Sequence, residues 1–137
     1  MDYTLDSTPD ENEDKQIIDG LWKHNHHYAP VDIRPLKIMV KDASGTIKGG
    51  IIARTWWGGL DIQYLWIEDE YRKKGIGREL MLMAESEAIK RGCHFSYVDT
   101  LSFQAQGFYM KLGYSEYGSL NGFAQKFSRH YLTKQLC

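Results

Sequence analysis

Near the middle of the chain an apolar run, Leu65, Trp66 and Ile67, gives way to Arg72, Lys73, Lys74, Gly75, Ile76, Gly77 and Arg78, and then to apolar residues at helical spacing. Ile76, Leu80, Met83, Ala84 and Ala88 mark one face of that helix, and Gly92 supplies its C′ residue. A buried strand that enters a helix through a basic, glycine-containing loop aims backbone N–H groups and the positive helix end at one spot. Such a spot binds phosphate. Glycines at 75 and 77 remove side chains that would obstruct close approach, and the basic residues around them suit a pyrophosphate. The P-loop pattern GxxxxGK[ST] is absent. The dinucleotide fingerprint would need a glycine where Leu80 stands and would open directly after the strand, whereas residues 68–74 intervene. Asp99 lies far enough downstream for a ribose contact, so a dinucleotide-binding domain stays open as an alternative.

The remaining elements follow from periodicity. Residues 10–28 predict an amphipathic helix with Ile17, Ile18, Leu21 and Trp22 on one side, stopped by Ala29 and Pro30. Residues 36–42 and 46–57 predict two strands joined through Ala43, Ser44 and Gly45, with Gly49 and Gly50 allowing a bulge or a close backbone approach. Residues 60–67 predict a central strand, 95–101 another, 103–112 a short helix ended by Gly113, and 129–136 a final strand. The expected order is strand, helix, three antiparallel strands, helix, strand, helix, then a strand or strands. Trp56, Trp57 and Trp66 are expected to pack in the core, and Cys93 to be a small buried hydrophobe.

With 137 residues, 42% of them hydrophobic, the chain is long enough for one domain over 1–137 that needs neither metal nor disulfide. Cys93 and Cys137 suggest no framework, the N-terminus lacks a leader pattern, and no stretch approaches the roughly 18 apolar residues of a membrane span. A cytoplasmic protein is expected. A net charge of −1 gives no global basic field for nucleic acid. His24 and His27 stand at helical i,i+3 with no Asp or Cys nearby to complete a metal set.

The stretch from Leu65 to Ile67 followed by Arg72, Lys73, Lys74, Gly75, Ile76 and Gly77 is similar to the central motif of the GNAT N-acetyltransferase superfamily, [RQ]-x-x-G-x-[GA]. Phe108, Tyr109, Met110, Lys111, Leu112, Gly113 and Tyr114 resemble its later block, Phe-Tyr-x-Lys-Leu-Gly-[FY], and one helix and one strand separate the two, as in the family. The resemblance implies an α/β (α+β) GNAT fold: a mostly antiparallel central sheet flanked by helices, with a V-shaped cleft for acetyl-CoA between strands 61–67 and 95–101. It implies an acetyl-CoA-dependent N-acetyltransferase that moves acetyl directly onto a primary amine of a small molecule, peptide or protein. Leu65, Trp66 and Ile67 would line the pantetheine arm, residues 72–78 would hold the pyrophosphate, and Ser102 stands where many relatives carry Asn. A non-catalytic acyl-CoA-binding or regulatory module is the alternative from another class, and a homodimer is left open.

For the chemistry, the amine must be uncharged, at a cost of roughly 4 to 5 kcal/mol for a lysine-like amine at neutral pH. Asp61 falls where histone-acetylating relatives carry a Glu base; Glu68, His27 or water are the other acceptors for the proton. Tyr109 stands where the family places a Tyr toward the CoA sulfur, the acid that would assist the leaving thiolate. Asn25, His26, His27 and Tyr28 would border the acceptor, since the corresponding region covers it in the family.

Overall fold

The computed structural model describes all 137 residues, and the chain resolves into two compact units, Met1–Val31 and Asp32–Cys137. The first carries helix α1, Glu11–Asn25. Asp10 caps it by accepting from the N–H groups of Asn12 and Glu13, and Glu11, Glu13 and Asp14 in the first turn suit the helix dipole. The strand expected ahead of α1 is absent. Asp6 instead accepts from Thr8 N–H at 2.8 Å, a local turn that competes with extended pairing.

The second unit holds β1 (Arg34–Lys41), β2 (Ile47–Trp56), β3 (Gly59–Ile67), α2 (Ile76–Lys90), β4 (Phe95–Leu101), α3 (Gln106–Lys111), β5 (Ser115–Phe123) and β6 (Phe127–Gln135). They build one sheet in the order β1-β2-β3-β4-β6-β5, in which only β3 and β4 run parallel. Trp57 and Gly58, with φ of 48° and 81°, make a two-residue turn between β2 and β3, the left-handed pair that a tight hairpin demands. That turn fixes the register and sets Arg54 opposite Asp61. Gly50 serves a close approach, since a Cβ there would lie 2.8 Å from the carbonyl oxygen of Ile38. The bulge sits elsewhere: Ile52 pairs with Tyr64 and Ala53 with Ile62, which leaves Gln63 as the extra residue of β3.

The core lies between the sheet and α2. Ile51, Leu60, Ile62, Leu80, Met81, Ala84, Ala88, Val98 and Leu132 are all buried there, and Cys93 joins them as expected. Arg91, the C-cap residue of α2, closes the edge by pairing with Glu87 at 3.0 Å and donating to Pro35 O and Thr55 Oγ1. Residues that alternate with this core point to the opposite face: Arg54, Trp56, Asp61, Tyr97 and Asp99. Trp66 shares that face and is 50% exposed, a departure from the core position expected of it.

Candidate functional site

The site begins where the sheet comes apart. β3 and β4 pair over Gly59–Ile62 and Phe95–Val98 and then stop, although both strands continue, to Ile67 and Leu101. The separation starts at the Gln63 bulge, because the extra residue bends β3 and increases its twist. Glu68 N–H donates to Lys48 O on β2 at 2.9 Å. Main-chain groups alternate sides along a strand, so Trp66 also faces β2 while Leu65 and Ile67 turn theirs toward the gap. On the other lip, Ser102 N–H donates to Ser128 O on β6, which by the same alternation directs Asp99 and Leu101 into the gap. Gln104 takes up the Leu101 N–H through its side-chain oxygen at 2.7 Å, and this is why α3 starts at Gln106 rather than at 103.

Below the open end of β3 a 3-10 turn, Asp69–Tyr71, leads into the basic loop. Gly75 is the N-cap of α2 at φ 80°, supplies no side-chain cap and has open space where a Cβ would sit. The first-turn N–H groups of α2 therefore lack a protein side chain to satisfy them, an arrangement that suits an anion. Lys73 is also left-handed, at φ 62°. Arg72 Nε donates to Ile67 O at 3.0 Å and lies 3.4 Å from Asp69 Oδ1, binding the loop to the strand end. Gly77 also serves packing: a Cβ there would lie 3.2 Å from the Phe108 ring, so this glycine admits α3 against α2. The nearby hollow of about 450 Å³ lined by Trp66, Glu68, Asp69 and Glu70 carries the wrong charge for a diphosphate.

Tyr109 on α3 is 6% exposed, with its ring near those of Phe108 and Tyr114. Burial, with the charge of Asp99 adding to it, pushes its phenol up to about 12, and no hydrogen bond contributes. Behind it, Tyr114 OH donates to Glu85 Oε2 at 2.8 Å and contacts Ser96 Oγ, while Lys134 Nζ reaches Glu85 Oε1 at 2.7 Å. Asp61 accepts from Arg54 Nε at 3.0 Å and its side chain is 15% exposed. Glu68 is committed to an ion pair with Lys48 at 3.0 Å. Ser102 Oγ accepts from Ser128 N–H at 3.2 Å; Ser128 Oγ contacts His130 Nε2 at 2.8 Å, and Glu116 holds the other ring nitrogen of His130. In the first unit, His26 Nδ1 accepts from Val31 N–H and the ring of His27 contacts His24 O, so these histidines serve the turn after α1.

The structure thus gathers Leu65, Ile67, Asp99 and the loop of residues 72–78 around one opening, with Asp61 at its closed end. Sequence reasoning missed Arg54, Tyr97 and Trp56 as companions of Asp61. The two-residue turn at Trp57 and Gly58 was the signal that could have placed Arg54.

Comparison with known proteins bears on the family and the fold. Residues 3–114 match the acetyltransferase (GNAT) family. An acetyltransferase of Agrobacterium fabrum is 32% identical over 136 residues, which are 98% of this chain and 99% of the relative. A blasticidin-S acetyltransferase of Streptomyces morookaense is 33% identical over 110 residues, 77% of this chain and 81% of the relative. The crystal structure of an acetyltransferase from Bacillus cereus superposes with a TM-score of 0.83 at 28% identity, covering 96% of this chain and 97% of the other.

Proposed function

Because the chain belongs to the acetyltransferase (GNAT) family and is an acetyl-CoA-dependent acetyltransferase, we propose that it transfers acetyl directly to a primary amine of a small molecule. One observation carries this: a gap between parallel strands, lined by main-chain groups of Leu65 and Ile67, lies beside a basic loop with a left-handed Gly75. An extended pantetheine arm can replace the missing strand contacts there. A diphosphate can meet the first-turn N–H groups of α2 together with Lys73, Lys74 and Arg78. Trp66 turns its main chain toward β2 and takes no part in this pairing.

The acceptor approaches from the face that carries Asp61, which takes a proton from the attacking ammonium directly or through water. The free amine forms a bond to the thioester carbonyl carbon, the C–S bond breaks with its electron pair leaving on sulfur, and the acetylated nitrogen gives up its second proton to water. Tyr109 donates a hydrogen bond to that sulfur. Full transfer from a phenol near 12 to a thiolate near ~8.5 is uphill by roughly 5 kcal/mol, so Tyr109 acts by hydrogen bonding while solvent supplies the last proton. Support for a small-molecule acceptor comes from the blasticidin-S acetyltransferase that resembles this chain.

The test is thiol release from acetyl-CoA with a panel of primary amines that includes blasticidin S, amino sugars and short peptides. Release with at least one amine, lost in Asp61→Asn, is expected. Tight acetyl-CoA binding with no release from any amine would leave only a binding module.

A further inference from the structure

Four side chains at the closed end of the gap form a circuit of which acetyl transfer, as proposed above, uses one. Arg54 on β2 stands directly opposite Asp61 on β3, and Arg54 Nε donates to Asp61 Oδ2 at 3.0 Å. Asp61 is in turn the register partner of Tyr97 on β4. The Tyr97 hydroxyl accepts from Trp56 Nε1 at 2.8 Å, and the Arg54 guanidinium lies over the Trp56 ring, 5.7 Å from its centroid. Each member therefore touches or faces the next, and all four share the sheet face opposite α2.

We propose that Arg54 is a positioning residue for Asp61. It holds the carboxylate by Oδ2 so that Oδ1 stays turned to the acceptor amine. This rests on the acetyl-transfer function and on Asp61 as the proton acceptor. Stability alone does not account for the arrangement, since a part-exposed ion pair of this kind contributes little to folding. Its geometry, however, is restrained twice over. The Trp56 ring beneath it restrains the guanidinium, and the hydrogen bond from Trp56 to Tyr97 restrains Trp56. The charged and titratable groups facing Asp61 are Arg54 from β2 and Tyr97 from β4. Burial pushes the Tyr97 phenol up, with the charge of Asp61 adding to this and Trp56 N–H and Arg54 opposing it. Tyr97 is thus a neutral partner at ordinary pH, and Arg54 is the cation that acts on Asp61. Without it, the carboxylate rotates more freely.

The experiment measures kcat and KM for the acceptor in Arg54→Gln and in wild type at about pH 8, with the best amine of the panel. In Arg54→Gln kcat should fall about tenfold, while acetyl-CoA affinity measured by calorimetry stays unchanged. Arg54→Lys keeps a donor for Oδ2 and should recover most of kcat; Arg54→Met, uncharged and of similar length, should repeat the loss and guards against a folding defect in the Gln variant. Wild-type kcat in both uncharged variants would overturn the positioning role and leave acetyl transfer standing. Absence of thiol release by wild type with every amine would take both down.

Discussion

Arg72 reaches back along the chain to place its Nε 3.0 Å from the carbonyl oxygen of Ile67, so the first basic residue of the loop is fastened to the last residue of the strand that lines the gap. Loop and lip are thereby held as one piece. Arg72→Ala should weaken acetyl-CoA binding by about tenfold in calorimetry, since it removes a charge and frees the loop. The melting temperature should change little, because the side chain is more than half exposed. Unchanged affinity would mean that the loop keeps its shape without this tether.

Arg78 sits in the first turn of α2, where a negative side chain suits the helix dipole and a positive one suits a diphosphate. Arg78→Glu should therefore leave the melting temperature equal or slightly raised, yet reduce acetyl-CoA affinity at least tenfold. It is a cleaner probe than Gly77→Glu, which would press on Phe108 and disturb packing together with binding. Equal affinity in Arg78→Glu and wild type would move the diphosphate away from this helix end.

Tyr109→Phe removes a hydroxyl that makes no hydrogen bond within the protein, so stability at neutral pH should stay within about 0.5 kcal/mol of wild type. Turnover should fall about 10²-fold while acetyl-CoA affinity holds, the mark of an interaction made mainly in the transition state. A second signature appears at high pH. Because the folded-state value lies above the unfolded one near ~10, the neutral phenol's contribution is fully present below pH ~10 and is lost as pH rises through about 12. Urea unfolding at about pH 11 should find Tyr109→Phe less destabilised by alkali than wild type. Identical alkaline losses would contradict the burial of this hydroxyl.

Glu85 is 5% exposed and serves both Tyr114 and Lys134. Glu85→Ala leaves a buried hydroxyl and a part-buried ammonium without their acceptor, and it should cost about 3 kcal/mol in urea unfolding. Glu85→Ala combined with Lys134→Met should recover part of that loss. Equal stability of the single and double variants would show that Lys134 gains nothing from Glu85.

Much of this arrangement can be read from residues that carry strong local signals. The apolar run ending at Ile67, the glycines after it and the helical spacing to Ala88 correctly give strand, loop and helix, and β4 falls at 95–101 as its alternation predicts. The bulge at Gln63 left no such trace: a polar residue between Ile62 and Tyr64 looks like ordinary alternation, and only the partner strand reveals the extra position. β5 was obscured for a related reason. Register shifts between Glu116 and Gly118 and between Asn121 and Phe123 break its period of two, and Gly118 and Gly122 interrupt it further. The contact of Trp56 with Tyr97 spans 41 residues and depends on the parallel register, which no local pattern encodes.

Only four residue pairs join β3 to β4, so the sheet is two antiparallel halves, β1-β2-β3 and β4-β6-β5, stitched along a short seam. A ligand lying in the gap would lengthen that seam from outside the chain and serve for a time as a missing strand between the halves. Amide hydrogen exchange at Leu65 and Ile67 should then slow most on cofactor binding, and the halves should resist separate opening only while it is bound. Turnover, on this view, is also a cycle of mending and reopening the sheet.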